Sequence, residues 1–283
     1  MRTLKSVERR GCSCCLFIVL AALLGLALIV FLGYRIVDAG APASDTVLAI
    51  DHSPSNFECD GIGTDPDLLR VQAARLFIAY QGAESGTARH RLAILHFGGQ
   101  VQPVAPLTDL GTAGARRSLI DALERVEPIA WTDPALALDA ADGLLAAGGR
   151  PGRQTVVLFT DGDPVPEPGR LAQAPYRDVM DQAVARLRDN DVSLIVVLLA
   201  AQDTSCGRRM TADWLGLWAG WTATTPGGAL YTAQAAADLL PIYHAIARDL
   251  SGAQAGAPLA RTLPLPGDAP IRVTAPVTQP LAS

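Results

Sequence analysis

Thr46-Val47-Leu48-Ala49-Ile50-Asp51-His52-Ser53-Pro54-Ser55 is the stretch on which the reading of this chain turns. Its first half is apolar and partly β-branched, and a polar turn with a proline breaks it off. Such a run predicts a central parallel strand, Thr46 to Ile50. The loop leaving that strand's carboxyl end then carries one carboxylate and two hydroxyls, on Asp51, Ser53 and Ser55. In open α/β sheets, ligands sit at that edge. Three hard oxygen donors within five residues suit a hard cation such as Mg²⁺, which takes oxygen ligands in near-octahedral order and keeps some water. Three donors leave such a site incomplete, so the rest of the chain has to supply the others.

Downstream, strands and helices alternate, which predicts an open α/β sheet. Thr64-Asp65-Pro66 is a helix start, with a capping oxygen and a proline in the first turn. Apolar residues at helical spacing carry that helix from Pro66 to about Gln81. Arg91–Phe97 and Gln100–Pro106 flank Gly98-Gly99 and read as a hairpin, so the third strand is an antiparallel edge. A second helix follows from Gly114 to Val126. The Thr-Asp-Pro signature recurs at Thr132-Asp133-Pro134 and predicts a third helix, to about Ala147. Thr155–Phe159 is the fourth strand and ends in Thr160-Asp161-Gly162-Asp163, a second carboxylate at a strand's carboxyl end. The remaining elements are a helix Tyr176–Arg188, a strand Val192–Leu199, a short helix Met210–Trp218 and a strand Ala229–Thr232. A last helix, Ala235–Leu250, should be kinked by Pro241. Trp214, Trp218 and Trp221 read as packing residues.

The two ends of the chain differ from this middle. No charged residue occurs from Gly11 to Tyr34, and the run is long enough to span a bilayer core of about 20 apolar residues. Arg2, Lys5, Arg9 and Arg10 precede it. After Arg35 no Lys or Arg appears until Arg70, so the positive-inside rule predicts a cytoplasmic N-terminus and an extracytoplasmic remainder. A cleaved signal peptide is the competing reading, with small-residue sites at Ala39-Gly40-Ala41 and Ala41-Pro42-Ala43. The run exceeds the usual 7–15 residues of a signal's apolar region, which favours an uncleaved anchor. The expected organisation is a basic cytoplasmic stretch 1–13, a transmembrane helix 14–34, a tether 35–45, a domain 46–251, and a proline-rich, mostly disordered tail 252–283. In cellular terms this is a single-pass protein of the cell membrane.

The first 34 residues carry +3, which leaves −8 for the remainder of a chain whose net charge is −5. A net-acidic exported domain excludes nucleic-acid binding, which needs a basic footprint. The four histidines have no Cys or His neighbour at metal spacing, which disfavours zinc. Cys12, Cys14 and Cys15 crowd the cytoplasmic edge of the apolar run, as S-acylation sites or as small apolar residues at a helix end.

In a doubly wound sheet, strands one and four are neighbours at the point where the strand order reverses. Asp51 and Asp161 would then face each other across one crevice, with Ser53, Ser55 and Thr132 beside them. Asp-x-Ser-x-Ser after one strand, a lone Thr before a helix, and Thr-Asp-Gly after another strand resemble the von Willebrand factor type A domain. The resemblance covers about Thr46 to Leu250. It implies a Rossmann-like fold with strand order 3-2-1-4-5-6. It also implies a metal-ion-dependent adhesion site formed by Asp51, Ser53, Ser55, Thr132 and Asp161, holding Mg²⁺ or in its place Mn²⁺ or Ca²⁺. Function would be by binding and not by turnover, with an Asp or Glu carboxylate of a protein partner completing the ion's shell.

Many members of that family carry glycine where this chain has Trp131. Trp131 and His52 are the candidates for contact with the partner; core packing is the other reading of Trp131. Two further readings of the whole domain stand beside the adhesion module. One is a metal-free structural domain, in which Asp-x-Ser-x-Ser is only turn chemistry. The other is a metal-dependent phosphoryl-transfer hydrolase with Asp51 as nucleophile, a pattern that would need an aspartate where Ser53 stands. Cys59 and Cys206 follow strands one and five and face an oxidising space, so a disulfide between them is expected.

Overall fold

In the computed structural model the first strand, β1, spans Ser44–Asp51, and all eight of its residues are buried. The pleat sends Val47 and Ala49 into one hydrophobic cluster and Leu48 and Ile50 into the other. Both faces are covered, which is why the strand reads as a continuous apolar run and does not alternate. Five more strands complete the sheet: β2 (Arg91–Phe97), β3 (Val101–Asp109), β4 (Arg153–Thr160), β5 (Val192–Leu199) and β6 (Ala229–Ala233). Their order is β3-β2-β1-β4-β5-β6, and every pair is parallel except β2 with β3. This is the predicted order, with its antiparallel edge. Ile50 pairs with both His96 and Phe159, so three strands end level with one another.

The structure describes residues 23–25, 43–57, 62–84, 89–124, 127–150, 152–171, 175–199 and 212–251. The chain divides into two units, Met1–Gly40 and Ala41–Ser283. In the first, only the short helical piece 23–25 is described, with Leu23 and Leu24 exposed. Among the described residues no helix is long and apolar enough to cross a membrane. Nearly all of the expected span 14–34 lies outside them. So do Cys59 and Cys206, most of the tether and the expected tail.

Seven helices are described in the second unit: α1 (Leu69–Glu84), α2 (Ala113–Ala122), α3 (Pro134–Gly148), α4 (Pro168–Leu171), α5 (Tyr176–Asp189), α6 (Ala212–Thr224) and α7 (Leu239–Ser251). Side chains of α3, α5 and α6 cover one face of the sheet, and those of α1, α2 and α7 cover the other. On α5, Tyr176, Met180, Ala183, Val184 and Leu187 are buried at helical spacing. The three tryptophans Trp214, Trp218 and Trp221 all stand on α6. Trp218 is fully enclosed, and Trp221 donates its indole N–H to Asp181 Oδ1 at 2.6 Å.

Two departures from expectation have physical reasons. Helix α1 starts at Leu69 and not at Pro66, because Leu68 takes a φ of +55° and turns the chain first. Asp65 still caps it, accepting the N–H groups of Leu69 at 2.7 Å and Arg70 at 2.9 Å. The same signature at Thr132-Asp133-Pro134 starts α3 at once, with Leu136 N–H on Asp133 Oδ1 at 3.2 Å. The expected kink at Pro241 has no cause. A 3₁₀ turn, Ala236–Asp238, precedes α7, and Pro241 falls in the first turn of that helix, where its missing N–H costs no bond.

Candidate functional site

Asp51 is the last residue of β1 and is completely enclosed. Its Oδ1 accepts the backbone N–H of Ser53 at 2.7 Å, and its Oδ2 accepts the Thr160 hydroxyl at 2.6 Å. The chain then enters a 3₁₀ turn, Pro54–Asn56. That turn sets Ser53 Oγ and Ser55 Oγ 3.0 Å apart. Ser55 donates its hydroxyl proton to Asp161 Oδ1 at 3.0 Å. Having one proton, it must accept from Ser53, which in turn accepts from Asn56 Nδ2 at 3.4 Å. A relay of neutral donors thus ends on the Asp161 carboxylate. Thr64 donates to the other oxygen, Asp161 Oδ2, and its hydroxyl lies 3.3 Å from the Ser55 carbonyl.

Thr132 reaches the same place from the other side. A reciprocal pair of 2.8 Å backbone bonds ties it to Val165. Asp133 N–H bonds to the Gly98 carbonyl at 2.9 Å, and Gly99 N–H to that of Ala130. The β2–β3 turn is therefore the seat of this loop. A Cβ on Gly98 would lie 2.4 Å from the Ile129 carbonyl oxygen, so only glycine admits the approach. Ser53, Ser55, Thr132 and Asp161 all line one cleft of about 270 Å³, and Asp51 lies beneath it, bonded to Ser53. All five expected donors are brought together.

The electrostatics of this cluster are unusual for a protein interior. Burial pushes the Asp51 carboxyl up, and repulsion from Asp161 pushes it further, against the bonds from Ser53 and Thr160. Burial likewise raises Asp161, against the bonds from Thr64 and Ser55 and the positive field of Arg70. Among the described residues neither carboxylate has an ion-pair partner. Arg70 is itself committed: fully buried, it pairs with Asp65 Oδ2 at 2.8 Å and lies 4.5 Å from the centre of the Phe57 ring. Two enclosed carboxylates without a cation, beside three hydroxyls, fit a hard divalent ion. Among the described residues no group of three or more His, Cys, Asp or Glu is placed to hold a metal, so this set depends on its hydroxyls.

His52 is a correction. Expected at the binding face, it is wholly buried, with its ring 3.7 Å from that of His96 and 5.7 Å from that of Phe57, centre to centre. Burial, with His96 and Arg70 nearby, drops its pKa to about 2, so the ring is neutral. It sits under the turn and has no exposed surface to offer a partner. Trp131 is the opposite case: it is 42% exposed and lines the cleft, so core packing is not its role. Thr64 and Thr160 were missed as site residues. Thr160 stands next to Asp161 in sequence, a signal that was available; Thr64 reads only as a helix-start residue and meets Asp161 across 97 positions.

Comparison with known proteins bears on the fold and the family. Comparison with curated protein sequences gives no match. Among solved structures, a von Willebrand factor type A protein from Catenulispora acidiphila is similar, with a TM-score of 0.55 at 14% identity, over 75% of this chain and 43% of that one. The pilus adhesin SpaC from Lactobacillus rhamnosus GG gives 0.58 at 14% identity, over 74% of this chain and 31% of that one. The vWF domain of the type V pili tip protein Mfa5 from Porphyromonas gingivalis gives 0.56 at 12% identity, over 77% of this chain and 98% of that one. The chain thus spans less than half of the first two. At such identities the likeness is one of fold. The family model of the von Willebrand factor type A domain matches residues 45–212, more than half of the sequence, and this chain belongs to that family.

Proposed function

We propose that this protein is a membrane-anchored adhesion or scaffold module that binds a protein partner through a divalent cation. Asp51, Ser53, Ser55, Thr132 and Asp161 would hold the ion, with Mg²⁺ the expected occupant. The single observation that carries this reading is the convergence of two buried, unneutralised carboxylates with a relay of hydroxyls at the open edge of the sheet. When bound, the ion supplies the missing positive charge and a coordination position that a partner's Asp or Glu oxygen can fill. The chain's own residues do the rest. The Pro54–Asn56 turn fixes two hydroxyls, Thr160 and the Ser53 N–H fix Asp51, and Thr64 fixes Asp161.

Solved domains of like fold include a pilus adhesin and a pili tip protein, which is in keeping with a role in attachment. The apolar run 14–34 would hold the domain on the extracytoplasmic side of the membrane. The hydrolase reading gains no support, since Ser53 stands where it needs a second aspartate. The test is a pull-down with the full chain in Mg²⁺ and again in EDTA. Capture lost in EDTA and in Asp51→Ala is expected; capture unchanged by both would contradict the proposal.

A further inference from the structure

One side of the cleft's rim is apolar where its floor is polar, and Asp163 also lines the cleft. Trp131, Pro54 and Val165 border it, and Trp131 is the largest exposed apolar side chain of the described domain. The exposure of Trp131 is built in. Its φ is +67°, a region that bulky side chains rarely adopt. The flanking backbone enforces it. Ile129 N–H bonds to the His52 carbonyl at 2.7 Å, Thr132 is paired with Val165, and Asp133 is tied to Gly98. Gly99 makes room: a Cβ there would lie 2.9 Å from Trp131 Cδ1 and 3.0 Å from its Cβ. A bulky residue held in a disfavoured conformation by several independent bonds, at the mouth of a site, points to a contact with what binds there.

We propose that Trp131 selects the partner: it receives a bulky aliphatic side chain adjacent to the acidic residue that meets the site. The occupant is an extended protein segment in which Asp or Glu neighbours Leu, Ile or Val. The assignment of the acidic residue rests on the metal reading above; the aliphatic neighbour rests on the rim itself. Trp131, Pro54 and Val165 together give an aliphatic side chain apolar surface to bury, whereas a cationic side chain, although the Trp131 ring and Asp163 would attract it, would sit beside the ion's own charge.

The test uses full-length protein carrying 5-fluorotryptophan, with the Trp131 fluorine signal identified by Trp131→Phe. The probes are acetyl-Gly-Xaa-Asp-Gly-amide and acetyl-Gly-Asp-Xaa-Gly-amide, with Xaa as Gly, Leu or Arg, titrated in Mg²⁺. The expected result is that, in at least one order, the Leu peptide binds roughly fivefold or more tightly than its Gly counterpart and shifts the Trp131 signal. The preference should survive in Trp131→Phe, which keeps a ring, and fall below about twofold in Trp131→Gly, which suits the positive φ. Equal binding of Leu and Gly peptides, a Leu preference that persists in Trp131→Gly, or tighter binding of the Arg peptide would each overturn the assignment. Calorimetry with Mg²⁺ alone judges the metal reading separately. A chain that took up no ion yet lost its Leu preference with Trp131 would keep this proposal and end that one.

Discussion

β1 carries an aspartate near each end, and the two are treated in opposite ways. Asp45, near the amino end, is buried and met by two guanidinium groups. Arg91 reaches it with Nε at 2.8 Å and Nη2 at 2.5 Å, and Arg150 with Nη2 at 2.8 Å and its backbone N–H at 2.6 Å. Burial by itself would raise the Asp45 pKa, but the bonds from Arg91 and Arg150 outweigh it and hold the carboxyl below its ordinary value. Asp51, at the carboxyl end, receives only neutral donors and faces another carboxylate, and its pKa is raised. One end of the strand is closed as a charge network. The other is left short of a cation, and it is the end that opens into a cleft. What the chain does with a buried charge therefore separates stability from function within eight residues.

The largest expected effect breaks the closed end. Asp45→Ala leaves Arg91 and Arg150 facing each other without their carboxylate, and both arginine side chains are partly exposed, at 21% and 34%. Removing one partner of a buried pair costs about 3–5 kcal/mol, and partial hydration of the arginines brings this towards the lower figure. Urea unfolding would measure it. A loss below about 1 kcal/mol would show that the network is ornamental.

At the open end the sign reverses. Asp161→Asn removes one of two repelling carboxylates, so the ion-free fold should gain about 1–2 kcal/mol at pH 7.5 while losing its response to Mg²⁺. Unfolding curves in EDTA and in Mg²⁺ check both halves. Destabilisation in EDTA would mean that the carboxylates do not repel as described.

The same contrast appears in pH. Asp45 has a folded pKa below the ordinary 3.8, so its contribution is complete above that value and disappears as the pH falls through the lowered one. Asp51 and Asp161 are raised above 3.8, so the ion-free fold binds more protons than the unfolded chain. That pair therefore costs stability as the pH climbs from about 4 towards neutrality. In EDTA the thermal midpoint should peak under mildly acid conditions and decline on both sides. A midpoint rising steadily to pH 8 would contradict the comparison. The smallest effect is that of Thr64→Val, which strips one donor from Asp161 and should cost about 1 kcal/mol with Mg²⁺ bound.

Much of this was legible in the residues, for reasons of periodicity and local chemistry. β5 lies at Val192–Leu199, as its apolar run predicts, because a strand buried on both faces announces itself by composition. Asp51, Ser53 and Ser55 were readable because one short turn carries them, and Asp133-Pro134 because capping is local. What escaped depends on distance in sequence. Thr64 meets Asp161 across 97 positions of sequence, so its hydroxyl reads as nothing more than a helix-start oxygen. His52 gives no sign that its ring turns under the strand end towards His96, since a histidine in a polar turn looks the same facing either way. The late start of α1 follows from a single residue, Leu68 at φ +55°, which no spacing reveals.

The most direct test is a calorimetric titration of Mg²⁺ into the full-length protein at pH 7.5, repeated on Asp51→Asn and Asp161→Asn. The account predicts one ion per wild-type chain, with uptake abolished in both variants although both remain folded. No uptake of Mg²⁺, Mn²⁺ or Ca²⁺ by the wild-type chain, or undiminished uptake in both variants, would contradict it.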